Sequence, residues 1–84
     1  MELVQKVKDA VQSAFPESEA DVEYSRRSGK VSGVLVWQGF DSLQQLDRQK
    51  KLWDVLRSKL GPDATRVSFI FTYTPREHNA MMAH

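Results

Sequence analysis

The chain has no cysteine in its 84 residues, and its two histidines, His78 and His84, both fall in the last seven positions. Without cysteine there are no disulfides, thiolate metal sites or thiol nucleophiles, and nothing places the chain in an oxidising compartment. The histidines have only Glu77 beside them, so no ligand set with metal-site spacing is present. There is no Gly-x-Ser-x-Gly motif, no phosphate loop, no Ser–His–Asp set and no pair of carboxylates on one wall, and the reading is of a chain that is not an enzyme and needs no cofactor. Also missing is an apolar run long enough to cross a bilayer. Met1 to Lys6 lack the basic-then-apolar layout of a signal peptide, so the expectation is a soluble cytoplasmic chain with no membrane partner.

What is present is ordinary for a globular protein: 40% apolar and 27% charged residues. The length suits one small domain, 1–84, with an ordered core over residues 2 to about 75 and a tail, 76–84, left between a short turn of helix and a loose end. The net charge of +1 does not by itself predict polyanion binding, but its distribution is uneven. Residues 1–24 carry two Lys against six acids, residues 25–60 eight basic residues against three Asp, and the remainder balances. An acidic first third beside a basic middle is a surface dipole able to steer a partner.

Leu3, Val7, Ala10, Val11 and Ala14 recur at helical spacing, so residues 2–15 read as an amphipathic helix that Pro16 ends. Ala20, Val22 and Tyr24 alternate with Asp21, Glu23 and Ser25 at the period of a half-buried strand. Arg26 to Lys30 make a hairpin connection in which Gly29 supplies a positive φ, and Val31 to Trp37 form a second strand. A long helix follows, capped by Ser42 with Gln45 or by Asp41 with Gln44, and stopped near Leu60 by Gly61-Pro62. Its apolar face is expected to hold Leu46, Leu52, Trp53, Leu56 and Leu60. Val67, Phe69, Phe71 and Tyr73 alternate with Arg66, Ser68, Ile70 and Thr72, which predicts a third strand with its aromatics in the core. The fold class is therefore α+β, a two-layer αββαβ domain with a three-stranded mixed sheet and two helices on one face. The third strand also leaves an edge on which two copies can pair.

Placed on these elements, several motifs resemble the BolA-like proteins. Phe40 precedes the long helix, Arg48-Gln49 stand at the family's Arg-His position, Trp53 at its aromatic and Leu56 at the following Leu. Thr74-Pro75-Arg76-Glu77 matches the closing Thr-Pro-x-Glu turn. The resemblance implies a fold similar to the class II KH domain, and a partner such as a monothiol glutaredoxin in iron homeostasis or redox regulation. It also implies a histidine at the start of the third strand and a second His or Cys ligand in the first hairpin. Here those places hold Arg66 and Arg26 to Lys30, and a guanidinium offers only donors. The expected role is thus a protein-interaction module without direct cluster ligation.

Gln49 falls on the apolar side of the long helix, where a polar group needs a partner. It is either the relic of a ligand site or, the preferred reading, a helix-to-sheet hydrogen bond. Arg48, Lys51 and Lys59 line the flank of that helix, and Arg26, Arg27 and Lys30 cluster in the hairpin. With Arg66 they are the candidate contacts for an acidic partner or an anion. The alternative function is a KH-like nucleic-acid-binding domain using these residues. Against it stand the absence of a Gly-x-x-Gly loop and the expected burial of the aromatics on the third strand.

Overall fold

The computed structural model describes residues 2–82; His84 lies outside them. Helix α1 (Glu2–Ala14) leads into the antiparallel strands β1 (Glu19–Ser25) and β2 (Lys30–Val36). A 3-10 turn (Gln38–Ser42) precedes α2 (Gln45–Leu60), and a second (Gly61–Arg66) precedes β3 (Val67–Tyr73). Helix α3 (Pro75–Met82) closes the described chain, occupying most of the segment left open as a tail. The sheet order is β1-β2-β3 with β3 parallel to β2, as a helical crossover requires. This is the expected two-layer α+β architecture.

The core lies between the sheet and the α1/α2 layer. Leu3, Val7 and Val11 of α1 and Leu52 and Leu56 of α2 meet Val22, Val31, Leu35 and Ile70 of the sheet, all buried. Phe15, Trp37 and Phe40 form an aromatic triangle with centroids 4.9 to 5.5 Å apart. The Trp37 indole N–H donates to the Pro16 carbonyl at 2.9 Å, so the ring's one polar group is satisfied where it packs. Two turns rest on glycine: Gly29 at φ 69° in the hairpin and Gly61 at φ 56° after α2.

Three expectations are corrected. Ser42 lies in the 3-10 turn and caps nothing; Gln44 precedes α2 and makes no side-chain cap bond. Leu46 is 68% exposed, because it lies about 120° round the helix from Leu52, and the place it was given on the buried face is held by Arg48. The third correction concerns β3. Val31 is paired with Val67 but Ser32 with Phe69, so Ser68 is an extra residue in the ladder. A one-residue bulge reverses the faces of everything after it. Val67, Ile70 and Thr72 are buried, whereas Phe69 and Phe71 are 48% and 51% exposed.

Candidate functional site

The bulge at Ser68 gives the uncovered side of the sheet its character. Along β1, Glu19, Asp21 and Glu23 alternate with the buried Ala20 and Val22, so the three carboxylates point away from the helices. Strand pairing aligns them in rows across the sheet: Glu23, Ser32, Phe69; Asp21, Val34, Phe71; and Glu19, Val36, Tyr73. The open face is therefore acidic along β1, small and half-buried along β2 from Ser32 to Val36 beyond the exposed Lys30 at its hairpin end, and aromatic along β3. Phe69 and Phe71 lie 5.0 Å apart, Phe71 and Tyr73 6.3 Å, and Tyr73 and the His78 ring of α3 6.3 Å. Among the described residues none of the three β1 carboxylates has a salt-bridge partner. These aromatics were expected in the core; the signal that places them outside is one extra residue, Ser68, which no period-two count reveals.

The outer edge of β3 is tied to α2. The Tyr73 carbonyl accepts from the N–H of Trp37, the residue after β2, so the carbonyls of Ile70 and Thr72 point the opposite way, off the sheet edge. Side chains from the first two turns of α2 reach them. Gln49 Nε2 donates to the Ile70 carbonyl at 2.9 Å, and Gln45 Nε2 to that of Thr72 at 3.1 Å. Thr72 Oγ1 completes the set, donating to Gln45 Oε1 at 3.0 Å and accepting from Gln49 Nε2 at 3.3 Å. Gln49 is thus a helix-to-sheet hydrogen bond, and two carbonyls of the edge offered for strand pairing already accept from α2.

Arg48 is buried and does not belong to an anion-facing stripe. Its Nε donates to the Leu43 carbonyl at 2.8 Å and its Nη1 to that of Thr72 at 3.4 Å, while the guanidinium lies 5.7 Å from the Phe40 ring centre. Its charge is met by Glu77 in a two-pronged pair at 2.7 and 3.2 Å. Glu77 in turn accepts from Thr74 N–H at 2.9 Å, and Thr74 Oγ1 accepts from Glu77 N–H at 3.2 Å. Thr74-Pro75-Arg76-Glu77 is therefore the capping box of α3, with Pro75 in the first turn where its missing N–H costs nothing. The Arg48 guanidinium, first, and the Thr74 N–H hold the Glu77 carboxyl below its ordinary range, against a smaller opposing push from burial.

The other basic candidates separate. Arg26 and Arg27 lie in the exposed hairpin with Lys30 beside them, and the pairing of Val31 with Val67 brings the hairpin to the same end of the sheet as Arg66. Lys51 sits on α2 with its ammonium 5.8 Å from the Trp37 ring, and Lys59 reaches Ser13 Oγ of α1 at 3.5 Å, so neither joins the hairpin group. Trp53 is half-buried against the core. Among the described residues no group of three or more His, Asp or Glu side chains is placed to hold a metal ion, and no helix is long and apolar enough to cross a membrane.

No protein-family model matches the chain, and no curated protein is significantly similar to it. Solved structures do resemble it. A Bol-like protein from Babesia bovis superposes with a TM-score of 0.69 at 17% identity, covering 94% of this chain and 92% of its own. A BolA homologue from Coxiella burnetii gives 0.65 at 22% identity over 92% and 91%, and BolA1 from Arabidopsis thaliana gives 0.68 at 18% over 89% and 94%. The chain has the BolA-like fold, and it has it without a metal-binding cluster of side chains among the described residues.

Proposed function

We propose that this chain is a non-enzymatic protein-interaction module, a partner of a monothiol glutaredoxin-like protein in iron homeostasis or redox regulation, which contributes no cluster ligand of its own. The observation that carries the interaction role is the aromatic row Phe69, Phe71, Tyr73 on the uncovered side of the sheet. Neighbouring large aromatics left in water are costly unless something covers them. The partner class follows from the BolA resemblance. The lack of ligation rests on chemistry: the Gln49 amide is committed to the Ile70 carbonyl, and Arg66 has only donors to offer.

A second reading, KH-like nucleic-acid binding, is favoured by one observation, the gathering of Arg26, Arg27 and Lys30 at the end of the sheet where Arg66 begins the run into β3. The β1 carboxylates oppose it, since a strand stacked on the aromatics would bring its phosphates past Asp21 and Glu23.

The test mixes the purified protein with a monothiol glutaredoxin and, separately, with single-stranded DNA across a salt series. The glutaredoxin is expected to bind, and the complex to show no cluster absorption that depends on this chain. Nucleic acid held by the four hairpin-end cations would lose about 50-fold in affinity between about 50 and 200 mM salt. Failure of the glutaredoxin to bind sinks the first reading, and failure of DNA sinks the second.

A further inference from the structure

Among the described residues α1 and α2 cover one side of the sheet, α3 meets the other only at the Tyr73 end, through His78, and what that open side is shaped and charged to accept follows from the three rows across it. From the pairing of these chemistries we infer that the open face docks a cationic amphipathic helix of a partner protein, apolar side on Phe69, Phe71 and the β2 valines, lysines or arginines toward Glu19, Asp21 and Glu23. The assignment rests on the interaction-module reading above and gives it a partner chemistry.

Geometry supports a helix. Neighbouring strands are about 4.8 Å apart, so the acidic and aromatic strands are separated by about 10 Å, close to the diameter of a helix with its side chains. Successive rows are about 6.7 Å apart along the strands, near the roughly 6 Å rise between positions i and i+4 of a helix. A helix lying along β2 therefore sets one apolar side chain per row against the aromatics and one flanking charge per row against a carboxylate. A strand is not accommodated at β3 in the same way, because Gln45, Gln49 and Arg48 already donate to the outward carbonyls of Ile70 and Thr72. A helix brings its own backbone hydrogen bonds and needs only a face.

Charge selects its sign. The three carboxylates of β1 have no salt-bridge partner among the described residues and line one flank only. They attract a cationic flank, and they repel both an acidic helix and a phosphate backbone. A second copy of this chain fits poorly, since stacking two such faces brings carboxylates toward carboxylates or aromatics.

The experiment uses two synthetic helical peptides with the same Leu/Phe stripe, one flanked by Lys and one by Glu, titrated into the isotope-labelled full chain by NMR. The Lys-flanked peptide is expected to bind about tenfold more tightly, the combined effect of three exposed ion pairs, and to shift the amides of Asp21, Val34 and Phe71. Glu19→Gln with Asp21→Asn and Glu23→Gln removes the preference, the corresponding Lys substitutions reverse it, and Phe71→Ser weakens both peptides. Equal binding of the two peptides, shifts confined to the helix layer, or displacement by oligo-dT or by self-association overturns the inference. Glutaredoxin binding that Phe71→Ser abolishes, with no preference between peptides, overturns the cationic-helix assignment alone. Peptide preference retained with no glutaredoxin binding overturns the partner named above and leaves the face as assigned.

Discussion

Arg48 and Glu77 grip each other through two hydrogen bonds, 2.7 and 3.2 Å, across 29 residues of sequence. One end of the pair is buried in the α2 layer and the other caps α3, so a single ion pair ties α2, the end of β3 and the last helix together. The same guanidinium holds the Leu43 carbonyl, which fixes the turn into α2. Two motif positions that look independent in the sequence, the Arg of Arg48-Gln49 and the Glu of Thr74-Pro75-Arg76-Glu77, are two halves of one contact.

Removing the carboxylate should therefore cost more than a surface charge. Glu77→Ala deletes half of the capping box and leaves the Arg48 guanidinium without its counter-charge. The expected loss is about 1–3 kcal/mol by urea denaturation. It stays below the cost of breaking a fully buried pair because the Glu77 side chain is 44% exposed. Thr74→Ala, which removes only the hydroxyl cap, is expected to cost about 1 kcal/mol. Equal losses in the two variants would show that the Arg48 contact adds nothing.

Acid should act through the same carboxyl. Its pKa is held below the ordinary 4.5, chiefly by the hydrogen bonds from Arg48. A depressed native pKa means the stabilisation is complete above the unfolded value and is lost as pH falls through the native one. The stability gap between wild type and Glu77→Gln is expected to be constant near neutrality and to shrink once pH drops below the unfolded-state value. Denaturation midpoints from about pH 7 to about pH 3 measure it, and a gap that persists unchanged at the acid end contradicts the linkage.

Exposed and buried phenylalanines should behave in opposite ways. Phe71→Ser removes a half-exposed ring and is expected to cost about 1 kcal/mol or less of stability while weakening partner binding. Phe40→Ala opens a cavity beside Phe15 and Trp37 and should cost about 3–5 kcal/mol. A Phe71→Ser protein that unfolds like Phe40→Ala would place the ring in the core after all.

Baring the sheet edge should change how the molecules associate. Gln45→Ala with Gln49→Ala frees the outward carbonyl of Ile70 and leaves that of Thr72 with the 3.4 Å contact to Arg48 alone, on a strand, Val67–Tyr73, that carries no charge and no proline. A stability loss of about 1–2 kcal/mol and concentration-dependent self-association are expected. Sedimentation velocity over a concentration series reads the second effect; a double variant that stays monomeric throughout shows that the edge is protected by something else.

The sequence made legible whatever is decided locally. The α1 stripe, the Gly29 hairpin and the Gly61 stop depend on residues within a turn or two of each other, and the crossover followed from element order. The Leu46 and Ser42 misplacements are local, of helix angle and cap register, but those of Arg48 and of the β3 aromatics depend on partners far away in sequence. Arg48 looks like a solvated cation until β3 and Glu77 come beside it. The open face was hidden because alternation is reliable only while the ladder is unbroken, and Ser68 breaks it at its second residue. The α3 cap, in contrast, stands openly in the sequence as Thr74-x-x-Glu77, inside the segment that the motif presents as a closing turn.

The parallel pairing of β2 with β3 also makes closing the sheet a non-local event. The hairpin of β1 and β2 closes over four residues, but β3 joins only after the stretch between Val36 and Val67, α2 included, has folded back across the sheet. Such non-local closure is slow relative to hairpin and helix formation. Until that closure α1 and the hairpin lack the α2 and β3 part of their core, and β2 has a bare edge, which β3 covers.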